Sequence, residues 1–260
     1  METSFWDHLD DLRKKLWGAA IVFVAVMIVA FSCKTILFDI LLSPHEATFV
    51  TYRFFCYLAE VFSFASLCPP PFHVDLINVQ LTAPFFLHVT CSLYFALLIT
   101  FPYIILQLFR FVAPALRSNE KKYSFHVLFF SCLCFYAGVL LNYFLIFPLS
   151  FRFLATYEVS PEIVNTITLS SYLGTLTMLS LLMGAVFEIP VIGWFLAKIG
   201  MLKSSFLKKH RKIAIIILLL VAAFITPTSD IFTLLLVFLP IYFLYELTII
   251  VVRRVERKAP

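Results

Sequence analysis

The chain has 260 residues, of which 62% are hydrophobic and only 13% charged, against roughly 25% charged in soluble domains. A large soluble core is excluded by the distribution: the apolar residues fall in long charge-poor blocks divided by short charged stretches, which is the pattern of bilayer spans. The formal net charge of +5 therefore has to be placed by side of the bilayer before it is read as a sign of nucleic acid, for which nothing else in the sequence speaks.

The first 15 residues carry Asp7, Asp10 and Asp11. They are too charged for the apolar core of a cleavable signal peptide, so the N-terminus is expected to be mature protein. Span one is predicted at 16–38, entered from the basic cluster Arg13, Lys14 and Lys15. The segment that follows, to about Pro84, contains Pro44, the run Pro69-Pro70-Pro71 and an aromatic patch from Phe49 to Phe64. It reads as a loop whose patch can lie along the interface, because its apolar stretches are too short to cross roughly 30 Å of hydrocarbon.

Span two is predicted at 85–112, interrupted by Pro102 and leaving through Arg110 into the polar turn Arg117 to Lys122. Span three covers 125–149, and span four covers 169–197 with both Glu188 and Pro190 inside it. A basic connection, Lys198 to Lys212, leads to span five at 213–226. At about 14 residues and roughly 1.5 Å each, span five reaches only about 21 Å, so the bilayer thins there or neighbouring helices cover the deficit. The turn Pro227-Thr228-Ser229-Asp230 then opens span six, 231–252, which holds Pro240 and Glu246. The expected architecture is an all-α integral membrane protein forming one domain over 1–260, with six transmembrane helices, some kinked and one short.

Counting Lys and Arg across this arrangement places 17 of the 20 on one side, in the clusters 13–15, 110–122, 198–212 and 253–258. The other side holds Lys34, Arg53 and Arg152. The positive-inside rule puts the rich side, with both termini, in the cytoplasm, and an odd number of spans would destroy the segregation. Cys56 and Cys68 then fall on the outer side, where they could pair if that compartment is oxidising; a spacing of 12 residues leaves this open.

Glu188 is the costliest residue in the sequence. It stands about ten residues before Lys198, roughly 15 Å from the basic end and near mid-bilayer. A carboxyl at that depth is protonated, paired or facing water, and it marks either a neutral hydrogen-bonded contact between helices or a functional polar site. Pro190 beside it removes a backbone hydrogen bond and bends the helix. At the basic rim, Asp10 and Asp11 beside Arg13, and Glu120 beside Lys121, either balance charge or form a receptor for a cationic ligand, since guanidinium pairs bidentately with carboxylate. No zincin, nucleophile-elbow or phosphate-loop pattern occurs, no Cys/His set has zinc spacing, and no metal or cofactor is expected.

Several motifs resemble one family in order and spacing. The stretch His8-Leu9-Asp10-Asp11-Leu12-Arg13 resembles the H-L-x-E-L-R element before the first span of TatC proteins. Gln107-Leu108-Phe109-Arg110-Phe111-Val112-Ala113-Pro114, with Glu120-Lys121-Lys122, is similar to their second-span exit. Phe187-Glu188-Ile189-Pro190 resembles their F-E-x-P, and Thr226-Pro227 with Asp230, Pro240 and Glu246 resembles their last hairpin and sixth span.

The resemblance implies a receptor for signal peptides bearing an Arg-Arg pair. It also implies a core on which TatA-type and TatB-type single-span proteins assemble to export folded proteins on the protonmotive force. The implied peptide contacts are Asp11 and Glu120, framed by His8, Leu9, Arg13 and Phe111. Glu188, Pro190 and Gln107 would line a concave polar recess, and Pro44 and Asp230 would matter in the outer loops. Asp11 departs from the glutamate usual there and shortens its reach by one methylene. The implied location is the bacterial inner membrane or alternatively a thylakoid or other organelle membrane, with a homo-oligomeric complex. A proton-coupled solute transporter using Glu188 is the competing reading from the residues alone.

Overall fold

The computed structural model describes residues 5–62, 74–112, 124–157, 166–226 and 230–258. They form two compact units, one from Met1–Leu37 with Pro84–Cys134 and one from Phe38–Ala83 with Phe135–Pro260.

In the first unit α1 (Phe5–Ser32) and α4 (Ala83–Val112) run antiparallel. Their contacts order as an antiparallel pair must. Phe31 stacks on His88 with ring centroids 4.0 Å apart, Gly18 faces the Tyr103 hydroxyl, and Lys15 Nζ donates to the Arg110 carbonyl at 3.1 Å. Span one is not one continuous helix. At Cys33 the amide is shared between the carbonyls of Val29 and Ala30 at 3.2 and 3.1 Å, and α2 (Lys34–Leu42) restarts beyond it. No proline or glycine announces this break, which explains why the sequence reads through it.

The second unit begins with the end of α2. A one-turn 3₁₀ segment, Ser43–His45, holds buried Pro44. The carbonyls that α2 leaves without helical partners are taken by tyrosines from elsewhere in the unit: Tyr143 donates to Ile40 at 2.7 Å and Tyr172 to Leu41 at 3.1 Å. The aromatic patch expected to be loop is α3 (Val50–Phe62), an amphipathic helix that buries Thr51, Tyr52 and Ala59. Tyr52 donates to the Pro148 carbonyl at 2.8 Å. At 13 residues, α3 is too short to cross a bilayer. Cys56 on α3 is disulfide-bonded, whereas Cys33, Cys91, Cys132 and Cys134 are free thiols; Cys68 lies outside the described residues.

The third span is longer than its predicted 125–149. It comprises α5 (Ser124–Leu141), a π-helical turn Asn142–Ile146 and α6 (Phe147–Thr156). The π-turn carries fully buried Asn142, whose Nδ2 donates to Ser180 Oγ at 2.8 Å. Two short strands, β1 (Leu76–Ile77) and β2 (Ile167–Thr168), pair in parallel with Leu76 opposite Ile167. Thr168 also caps the next helix by accepting from the Ser171 amide at 3.3 Å.

The fourth span is two helices, α7 (Leu169–Val186) and α8 (Ile189–Lys198). After the short α9 (Ser204–Lys209) come α10 (Arg211–Ile225) and α11 (Ile231–Lys258). Around Met183, Ala222, Val237 and Ile241, all fully buried, α7, α10 and α11 close the core of this unit. α8 packs closely on α11, since a Cβ on Gly193 would collide with Thr248 Cγ2. Five helical segments among the described residues are long and apolar enough to cross a membrane, with much of each left exposed to face lipid. α10, the predicted fifth span, has only 15 residues.

Candidate functional site

At the basic end of the first unit, the start of α1 meets the end of α4. Lys15 is the link: besides its bond to the Arg110 carbonyl, its ammonium lies 5.9 Å from the Phe111 ring centroid. Arg13 Nη2 lies 3.3 Å from Asp10 Oδ1, and both side chains are mostly exposed, so this pair balances charge on the surface and adds little stability. His8, Leu9 and Asp11 stand on α1 within about two turns of Lys15. Their side chains, and the whole of Glu120, lie outside the described residues. Of the six rim residues named from the sequence, the structure thus brings Arg13 and Phe111 to one end of an antiparallel pair, through Lys15, which the sequence places only in the basic cluster before the first span.

Glu188 sits where the fourth span stops being an α-helix. The Phe187 amide still reaches Met183 O at 3.0 Å, but the Glu188 amide reaches only three residues back, to Ala185 O at 3.1 Å. Pro190 follows near the start of α8, buried and without an amide to continue the ladder. The Glu188 residue is half-buried, with Oε1 fully enclosed. Glycine admits a neighbour to this break: a Cβ on Gly138 of α5 would come within 2.7 Å of Met183 O and 2.8 Å of Phe187 Cγ. Gln107, half-buried on α4, belongs to the first unit.

Pro44 and Asp230, expected to matter in outer loops, both have structural work. Pro44 lies in the turn that the tyrosines hold, and its carbonyl is 3.5 Å from the Tyr52 hydroxyl. Asp230 caps α11, its Oδ1 accepting from the Thr233 amide at 2.6 Å.

Comparison with known proteins decides the family. The model of the Sec-independent protein translocase protein (TatC) family matches residues 7–240. The chain belongs to the TatC family. A TatC protein of Blattabacterium sp. subsp. Periplaneta americana is 34% identical over 99% of this chain and 97% of its own. The TatC of Campylobacter jejuni is 33% identical over 96% and 93%. A crystal structure of the twin arginine translocase receptor TatC superposes with a TM-score of 0.75 at 28% identity, covering 96% of this chain and all of the other. The chain is accordingly a membrane protein of a protein-translocase family, and protein transport, not enzymatic catalysis, is the family's activity.

Three features of this TatC chain were not anticipated from its sequence. Asn142 with Ser180 was legible in principle, as an amide inside an otherwise apolar span. The ion pair of Arg211 with Glu246, Nη2 to Oε2 at 2.7 Å, needed the fold to bring together residues 35 apart. The same holds for Glu256, which accepts from the Ser204 amide at 2.9 Å and from the Ser204 hydroxyl.

Proposed function

We propose that this TatC chain is the twin-arginine signal-peptide receptor and core subunit of a translocase that exports folded proteins on the protonmotive force. The observation that carries the reading is the full-length likeness to a solved twin-arginine translocase receptor. The meeting of α1 and α4 at a basic rim supports it.

In this reading the peptide's two guanidinium groups pair with Asp11 and Glu120, Asp10 being engaged by Arg13. Charge-assisted bidentate pairs of this kind add geometric specificity to the attraction. His8, Leu9, Arg13 and Phe111 frame the surface, and the surrounding lysines and arginines turn away cations that lack the paired geometry. Beyond the arginines, Glu188 and Pro190, at the break in the fourth span, supply polar and bent wall to a recess for the apolar part of the peptide. Pro44 and Asp230 keep the outer turns in shape. TatA-type and TatB-type single-span proteins dock on the exposed apolar flanks, and several copies of the chain assemble in the complex.

The chain crosses the membrane six times, with both termini in the cytoplasm of a bacterium or the equivalent side of an organelle membrane. The 17-to-3 division of Lys and Arg supports this orientation. So does the disulfide at Cys56, on the side that the orientation makes oxidising.

The test is retention of a fluorescent signal peptide by the purified, detergent-solubilised chain. The Arg-Arg peptide is held and the Lys-Lys peptide is lost, because an ammonium cannot make the bidentate pair. Equal retention of both peptides contradicts the proposal.

A further inference from the structure

α9 lies between the fourth and fifth spans and is pinned to the end of α11. Glu256 accepts from both the amide and the hydroxyl of Ser204, and Tyr245 donates to the Leu207 carbonyl at 2.8 Å. These bonds gather cations that are far apart in sequence. Lys203 and Lys208 lie close enough to act electrostatically on the Glu256 carboxylate. Lys209 and Lys212 follow directly, and Arg253 and Arg257 extend the patch along α11; all six are exposed. The two acids of the region are committed, Glu256 to Ser204 and Glu246 to Arg211. Large apolar side chains stand exposed among the cations, Met201 at 74% and Phe206 at 57%.

From this combination we infer that the α9 patch is a binding site for anionic phospholipid headgroups, with Met201 and Phe206 inserted at the headgroup–acyl boundary. A patch of cations alone would satisfy the positive-inside rule. Cations interleaved with exposed apolar side chains on a short helix fixed beside spans are the composition of an interfacial anchor. An acidic soluble partner would use the cations but leave Met201 and Phe206 in water.

The site has a consequence for α10, which begins at Arg211 in the middle of the patch. Its 15 residues extend about 22 Å, less than the roughly 30 Å of hydrocarbon. Headgroups drawn to Lys208, Lys209 and Lys212 bring the polar boundary to the foot of α10 and thin the bilayer where this helix crosses.

The experiment reconstitutes the full chain in mixed phosphatidylglycerol–phosphatidylcholine bilayers, re-extracts it and quantifies retained phosphatidylglycerol. The wild type is enriched in it, and the enrichment falls as salt is raised. The variant Lys203→Gln/Lys208→Gln/Lys209→Gln loses roughly tenfold of it. Phe206→Ser, which changes no charge, loses a smaller part, whereas Lys34→Gln/Arg53→Gln on the opposite side retains the wild-type level. Circular dichroism verifies folding of each variant. Wild-type retention by the triple variant overturns the inference, as does an equal loss in the Lys34/Arg53 control.

Discussion

Glu188 is a carboxyl placed at a break in a membrane helix, with one oxygen enclosed and a buried proline two residues on. A neutral amide keeps its shape and hydrogen bonding, whereas a lysine brings a longer, oppositely charged group into the same enclosure. Glu188→Gln is expected to stay within about 1 kcal/mol of wild type, and Glu188→Lys to lose at least about 2 kcal/mol. Thermal unfolding in detergent measures both, and equal stability would mean that the side chain faces open water. Tyr52, on α3, gives a pH-dependent counterpart. Burial raises its phenol above the ordinary value of 10.0, so its contribution is full below that pH and is lost as pH rises through the folded value. Stability should therefore decline above about pH 10, and Tyr52→Phe should flatten that decline while removing about 1 kcal/mol for the bond to Pro148. An unchanged alkaline limb in Tyr52→Phe would show that another group carries it.

At the scale of elements, the long spans were legible because hydrophobic length and flanking charge are local properties. The split of the fourth span was half-legible: Pro190 marked a bend, but the close approach of Gly138 to Met183 and Phe187 at the break is a tertiary fact. The break at Cys33 carries no proline or glycine, the π-turn at Asn142–Ile146 is marked only by Pro148 just beyond it, and α3 is too short to register as a span, so all three escaped detection from sequence. The rim residues are named from motifs before the first span and after the second, while the Lys15 link that joins α1 to α4 is a tertiary fact. Helix contacts also give a prediction. Gly193→Ala forces α8 away from Thr248 and should destabilise by about 1–3 kcal/mol. Thr248→Ser removes the opposing Cγ2 and should restore part of that loss in the double variant, whereas strictly additive effects in the cycle would place the strain elsewhere.

For the molecule as a whole, charge segregation and the Cys56 disulfide argue for the same orientation from unrelated physics, one from insertion and one from redox compartment. A membrane-impermeant maleimide should label Lys203→Cys only in inverted vesicles and Glu46→Cys only in intact cells; the reverse pattern would overturn the orientation. That orientation puts the α1–α4 rim where exported precursors arrive, and it makes the pair Asp11 and Glu120 the heart of the receptor proposal. The most direct test is site-specific crosslinking of a twin-arginine signal peptide to the Asp11→Ala/Glu120→Ala variant in membranes, with insertion of the variant verified. Crosslinking is expected to be abolished while insertion is unchanged. Crosslinking at the wild-type level would contradict it.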